Sequence, residues 1–256
     1  TFSIDPSTLE MNKLQADPLI DSDYSSRSEQ RVTGRAARPR DSATLILVRT
    51  DGKIPRVLMG KRSQNHVFMP NKFVFPGGKV EIADGRLRVP NQLHPAVLRR
   101  LMKGCSETKA RALALAAIRE TFEETGMILG KSSPTVIKSR SDSWAKFLRH
   151  GMTPNLEKLY YVARAITPPY RNRRFDARFF MAYVDQKSLH DASAEASGEL
   201  LEIHWVTLSR ARTLELPHIT RVMLDEIERR VSHDDSYHQE GPFVYAKHGR
   251  FVNGKQ

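Results

Sequence analysis

Glu120, Glu123 and Glu124 stand at i, i+3 and i+4, a spacing that gathers three carboxylates within one turn of a helix. Like charges so placed destabilise a helix by a few tenths of a kcal/mol per pair, so a compensating charge is required. Ion pairing with Arg119 and Arg111 on a solvated face is one solution. The other is a divalent cation, because Mg²⁺ and Mn²⁺ prefer hard carboxylate oxygens and retain waters that can be shared with a phosphate.

The helix that must carry these groups is the strongest element in the chain. Ala110–Thr125 is dense in Ala, Leu, Arg and Glu, with Ser106 as its N-cap and Gly126 in the C′ position. Leu115, Ile118 and Phe122 share one face, and the carboxylates lie on roughly the opposite one. Upstream, two β-rich runs, Ala43–Arg49 and Arg56–Lys61, flank Asp51–Gly52, a hairpin turn. Phe73–Val74–Phe75 then reads as a strand stopped by a loop at Pro76–Gly77–Gly78. Segment 85–111 reads as an insertion with one short helix, Pro95–Lys103. Beyond the long helix come strands at Leu159–Ile166, Ala177–Val184 and Leu201–Val206, a helix around Ile219–Val231, and a hairpin of Phe243–Tyr245 and Arg250–Val252 about His248–Gly249. Strands with helices on their faces imply an α/β layered domain. Residues 1–40 are polar and aperiodic and read as an extended or partly disordered arm, leaving 41–256 as a single domain.

The chain has 256 residues and a formal charge of +12. Its one cysteine, Cys105, rules out an intramolecular disulfide or thiolate cluster and is read as a packing residue. The histidines fall in no zinc-ligand pattern. No apolar run is long enough to span a membrane, and the expected address is the cytoplasm. The basic excess is concentrated: segment 85–111 holds seven bases against one acid, and 158–178 six against one. Clustered bases suit a nucleic acid, or else a smaller polyanion if both segments border the carboxylates. Within the second cluster, Arg171, Arg173 and Arg174 offer guanidinium groups suited to bidentate phosphate contacts; a solvated charged turn is the alternative.

Gly78, Asp84 and Arg119–Glu120–Thr121–Phe122–Glu123–Glu124–Thr125–Gly126–Met127 resemble the Nudix box, G-x5-E-x7-R-E-U-x-E-E-x-G-U, with U aliphatic. Three features depart from it: Asp84 replaces Glu, Thr121 replaces an aliphatic residue, and 34 residues rather than seven separate Asp84 from Arg119. The 27-residue segment 85–111 must therefore loop out between the halves of the box. Val57–Ser63, Phe68–Met69–Pro70, Phe73–Gly78, Ile166–Thr167–Pro168, Arg173–Phe180 and Glu199 ahead of Trp205 are similar to the Nudix branch of acyl-coenzyme A diphosphatases, which has a long insertion in its box.

That resemblance implies a Nudix fold, an α/β/α sandwich with a mixed central sheet, and Mg²⁺- or Mn²⁺-dependent hydrolysis of a diphosphate. It implies Glu120, Glu123 and Glu124 as metal ligands with a carbonyl of Gly77 or Gly78, and Arg119 as the group orienting Glu120 or Glu123. Glu199 is the candidate general base, with Glu195 in reserve. Arg62, Gly77, Arg171, Arg173 and Arg174 are expected to hold substrate, and Asp84 and Gly126 to support the site. The expected substrate is a small nucleotide conjugate, coenzyme A or its acyl ester before NADH, ADP-ribose or a dinucleoside polyphosphate. A nucleic-acid-binding or non-catalytic Nudix-like domain is the rival. Monomer and homodimer both stay open.

Overall fold

A computed structural model of the chain describes residues 36–64, 70–133, 136–186, 188–232, 237–247 and 250–255. Most of the 1–40 arm, Phe68–Met69 and the His248–Gly249 turn lie outside the described residues.

The order begins β1 (Arg40–Arg49), β2 (Arg56–Arg62), β3 (Phe73–Val74), β4 (Gly77–Lys79), α1 (Ile82–Arg86), α2 (Pro95–Met102) and α3 (Glu107–Thr125). It continues through β5 (Met127–Ile128), β6 (Gly130–Ser132), α4 (Asp142–Leu148), β7 (Met152–Pro154), β8 (Tyr160–Ile166), β9 (Phe175–Val184) and β10 (His190–Asp191). The last elements are β11 (Leu200–Thr207), α5 (Leu208–Arg212), α6 (His218–Val231), β12 (Pro242–Lys247) and β13 (Arg250–Lys255).

The main sheet runs β11-β2-β1-β9-β8-β12-β13, with β3 added to β2 and β4 to β1. It is mixed: β1 pairs parallel with β9, and β12 parallel with β8, while β8 and β9 are antiparallel. Strand β1 shows why both faces are covered. Leu45 and Leu47 belong to one apolar core, and Ile46 and Val48 to the other; alternation in a strand sends the two pairs to opposite faces. Helix α3 packs in the first core, and α6 supplies Met223, Leu224 and Ile227 to the second. The result is the expected α/β/α sandwich.

Helix α3 starts at Glu107, three residues before the expected start, because Ser106 accepts a hydrogen bond from Lys109 N at 3.3 Å. It stops at Gly126, whose φ of 72° is left-handed. The helix is buried nearly all round rather than on one face: Arg119, Thr121 and Glu124 are buried along with Leu115, Ile118 and Phe122. Ion pairing on a solvated face is thereby corrected.

Gly77–Gly78 differs from expectation too. Instead of ending in a loop, the glycines form β4, paired with Ala43 and Thr44 of β1. The approach is close: a Cβ on Gly77 would sit 2.6 Å from Ala43 O, so only glycine permits this pairing.

Candidate functional site

Where β4 crosses the end of β1, the last turns of α3 reach the glycine pair and a cleft of about 470 Å³ opens. Arg62, Gly77, Gly78, Arg119, Glu120, Glu123, Glu124, Arg173 and Glu199 all line it. Residues separated by more than 130 positions thus meet at one end of the sheet.

Arg119 organises the acids. Its Nε and Nη2 hold Asp84 at 2.9 and 3.1 Å, and Nη2 also donates to Lys79 O at 2.8 Å. Its Nη1 lies 3.0 Å from Glu120 Oε1 and 2.8 Å from Glu123 Oε2. Burial alone would lower the Arg119 pKa, but the bonds to Asp84 and the charges of Glu120 and Glu123 raise it, so the guanidinium stays charged. Asp84 is itself buried and accepts from Trp144 Nε1 at 3.0 Å and Glu81 N at 2.8 Å. It is therefore placed behind the site, holding Arg119 rather than facing the cleft.

Glu124 accepts a hydrogen bond from Gly77 N at 2.9 Å. Burial pushes its carboxyl up to about 8; Arg62 opposes the rise, while Glu120 and Glu199 add to it. Glu120 is pushed up to about 7 by burial, against Arg119 and with Glu123. Gly78 makes room for Glu120: a Cβ there would meet both carboxylate oxygens at 2.5 Å. Burial lowers the Arg62 pKa, opposed by Glu124, Glu199 and Glu120.

Four cations, Arg62, Lys79, Arg119 and Arg173, line the cleft against five carboxylates, Glu81, Glu120, Glu123, Glu124 and Glu199. With every group ionised the lining is net acidic, the reverse of what a bare polyanion site needs. A hard divalent cation fits this all-oxygen donor set and would relieve the buried repulsion at Glu120 and Glu124. Among the described residues no three acidic, histidine or cysteine side chains close into a metal cage. Mg²⁺ needs none, since it keeps waters and takes one or two carboxylates with substrate phosphates.

Several expected residues lie elsewhere. Arg171 and Arg174 do not line the cleft. Arg171 is buried and lies over the Tyr170 ring, and Arg174 donates to Thr167 O and Ala37 O. Glu195 pairs with Arg149 at 3.1 Å and also lies off the cleft. None of the seven bases of 85–111 lines it. Arg100 donates to Tyr161 O, and Arg111 to Val89 O and Gln92 Oε1. In 158–178, Arg164 and Arg178 both pair with Asp176. Arg100, Arg111, Arg164 and Arg178 are thus taken up by the fold, while Arg86, Arg88, Arg99 and Lys103 are exposed away from the cleft, and the expectation that both segments border the carboxylates is corrected.

Gly126 works from the helix end. Its carbonyl accepts from Ala192 N at 3.0 Å, and Glu123 O accepts from Ser197 N at 2.6 Å. These bonds fasten the segment carrying Glu199 to the helix carrying the other acids. Glu81, Lys79, Phe75, Phe179 and Thr220 also line the cleft and were missed. For Glu81 a signal existed: with Asp84 it makes a reciprocal cap on α1.

Sheet, helices and cleft together define an α/β/α domain of the Nudix class, with the glycines and acids of the box assembled at one end of the sheet. The chain belongs to the NUDIX domain family, whose model matches residues 38–227. It is 28% identical over 177 residues to nudix hydrolase 7 of Caenorhabditis elegans, covering 65% of this chain and 51% of that protein. It is 25% identical over 205 residues to the acyl-coenzyme A diphosphatase NUDT19 of Xenopus laevis, covering 60% and 53%. The chain thus spans about half the length of these relatives. A NUDIX hydrolase crystal structure from Alicyclobacillus acidocaldarius shares the fold, with a TM-score of 0.53 at 24% identity, covering 74% of this chain and 90% of that one.

Proposed function

We propose that this domain is a Mg²⁺- or Mn²⁺-dependent diphosphatase that cleaves coenzyme A or an acyl-coenzyme A to a 4′-phosphopantetheine product and adenosine 3′,5′-bisphosphate. The observation that carries the hydrolase reading is the convergence of Glu120, Glu123, Glu124 and Glu199 with Arg62 on the Gly77–Gly78 strand. The coenzyme A reading rests on the sequence similarity around Val57–Gly78 and Arg173–Phe180, and on the name of the Xenopus relative.

Glu120, Glu123 and Glu124 would supply the carboxylates that hold the cation, one or two at a time, with a carbonyl from Gly77 or Gly78 and with waters and substrate phosphate as the remaining ligands. When bound, the cation supplies charge neutralisation at the phosphate oxygens and a more acidic water. Arg119 keeps Glu120 and Glu123 oriented while Asp84 anchors it from behind. Arg62 and Arg173 bind phosphate oxygens as guanidinium donors. Glu199 takes a proton from the attacking water; the remaining hydroxyl bonds to one phosphorus, and the bridging oxygen departs on the other phosphate. Two monoesters result, and the proton passes to solvent. The apolar strip of Ala165, Ala177, Phe179 and Val244 accepts the uncharged part of the substrate.

Side-by-side hydrolysis of acyl-coenzyme A, NADH, ADP-ribose and diadenosine tetraphosphate with Mg²⁺ tests the reading. A preference for the coenzyme A ester is expected; no such preference removes that substrate while leaving the diphosphatase. Glu123→Gln should abolish turnover in a folded protein. Steeply salt-dependent nucleic-acid binding that survives this substitution, without any hydrolysis, would instead support the nucleic-acid rival.

A further inference from the structure

A second cavity, of about 350 Å³, lies between the β6–β7 pair and the β9–β10 connection and shares no lining residue with the catalytic cleft. Its size is at the lower end of the range for small organic ligands. One wall, at Leu129, follows directly on β5, and the other ends at His190 of β10, which pairs with Ile128 of β5. The lining holds one ammonium, Lys158, and no carboxylate. That is the reverse of the catalytic cleft, so an anion can enter here without a metal.

Asn155 lines this cavity, is 9% exposed, and its Oδ1 accepts no hydrogen bond among the described residues. Its backbone is fixed, because Asn155 N donates to Leu129 O at 3.1 Å. An asparagine here could cap the 3₁₀ turn Leu156–Lys158, but Leu156 N donates instead to Asn91 Oδ1 at 2.7 Å. Asn155 Oδ1 is thereby left over, and a buried acceptor without a donor is unfavourable; a ligand N–H or O–H would supply one. Side chains three apart in a 3₁₀ turn share one side, so Lys158 can act on the same ligand as Asn155. Ser132, Tyr183 and Gln186 add hydroxyl and amide groups around the space. Neutral hydrogen-bonding groups with a single cation suit a hydroxyl-rich molecule that carries one anionic group, and Leu129 and Met152 suit the C–H surface of a sugar ring.

We infer that this cavity is a second ligand site, separate from the catalytic cleft, that binds a sugar phosphate: Lys158 takes the phosphate as a charge-assisted donor, and a sugar hydroxyl donates to Asn155 Oδ1. None of its residues takes part in the proposed hydrolysis, so the inference stands or falls independently of the coenzyme A reading.

Calorimetric titration of the full chain with ribose 5-phosphate, ribose and inorganic phosphate tests it without relying on turnover. The titrations are run in EDTA, where the net acidic catalytic cleft disfavours an anion. Ribose 5-phosphate should bind with a Kd of about 1 mM or below, and roughly tenfold or more tightly than ribose or inorganic phosphate, the margin of a charge-assisted hydrogen bond. Lys158→Gln and Asn155→Ala should each weaken it by about the same factor. Lys131→Gln, at an exposed lysine off the cavity, should leave it unchanged. If Asn155→Ala does not fold, the contrast between Lys158→Gln and Lys131→Gln decides. No binding of ribose 5-phosphate would mean a cavity filled by water only, and equal affinity for it and inorganic phosphate an adventitious ion only. Either result overturns the site, as does an affinity that Lys158→Gln leaves unmoved.

Discussion

Gly78 and Glu120 occupy one space: the carboxylate oxygens of Glu120 lie where the first side-chain carbon of any other residue at 78 would come within 2.5 Å of them. The neighbouring Gly77 is confined differently, by the backbone of β1, with Ala43 O at 2.6 Å and Thr44 Cα at 2.7 Å from the position of a Cβ. The two glycines therefore fail in different ways. Gly78→Ala displaces the end of a side chain, so the expected result is loss of Mg²⁺-dependent turnover by roughly a hundredfold with a change in stability under about 2 kcal/mol. Gly77→Ala displaces a strand and should destabilise the fold by more. Paired activity assays and urea titrations check this; equal loss of stability in both would contradict it.

Asp84 bears on Arg119 rather than on substrate. Removing the carboxylate leaves a buried guanidinium without its main partner, a change that costs about 3–5 kcal/mol. Asp84→Ala should lower stability by that order, and Trp144→Phe, which removes one hydrogen bond to Asp84, by about 1 kcal/mol. Asp84→Glu restores the residue type of the Nudix box but adds a methylene beside buried Trp144, so it should also destabilise. Urea midpoints for the three variants are the measurement. A neutral Asp84→Ala would mean that Glu120 and Glu123 suffice to hold Arg119.

Much of this arrangement was legible because local rules and tertiary contacts agree there. Ser106 and Gly126 mark the ends of α3 by capping chemistry alone, and the alternation in β1 places residues in both cores. Legibility fails between residues 127 and 158, where β6 and β7 are three residues each and exist by pairing across twenty positions. Helix α4 is short and is held by Trp144 and Phe147, the latter edge-on to Phe122 at 5.5 Å. The basic runs misled for a related reason. Charge counting along the chain cannot show that Arg100, Arg119, Arg178 and Arg230 are buried, nor that carbonyls and acids elsewhere in the fold take up their donors. The same blindness hid Thr220 and Phe179, which reach the cleft only through the stacking of α6 and β9 against its floor.

The surface of the 85–111 segment supplies a direct test of where the basic charge matters. Arg88, Arg99 and Lys103 are exposed and lie off the cleft. Replacing all three by Gln removes a quarter of the formal charge, yet kcat/KM toward the nucleotide substrate should stay within about twofold at physiological salt, where exposed charges beyond roughly 8 Å are screened. Arg62→Gln, by contrast, removes the guanidinium beside Glu120, Glu124 and Glu199 and should cost more than tenfold. A large drop in the triple variant would return those charges to the substrate.

Glu124 and Glu120 also make stability depend on pH in a direction opposite to ordinary salt-bridged carboxylates. Burial holds them near 8 and 7 in the folded chain, against 4.5 as the reference value. Below about pH 4.5 both are protonated in either state and impose no penalty. Between there and pH 8 the unfolded chain releases protons that the fold retains, so these two groups lower stability as pH rises, each by at most about 1.4 kcal/mol per pH unit. In EDTA, the urea midpoint should therefore fall from pH 5 to pH 8, and Glu124→Gln should flatten that slope. A divalent cation favours the ionised carboxylates and reverses the preference. Added Mg²⁺ should raise the thermal midpoint more at pH 8 than at pH 5, and much less in Glu124→Gln. A midpoint that rises over this interval in EDTA, or a Mg²⁺ effect that is larger at pH 5, would show that the buried acids are not what the cation binds.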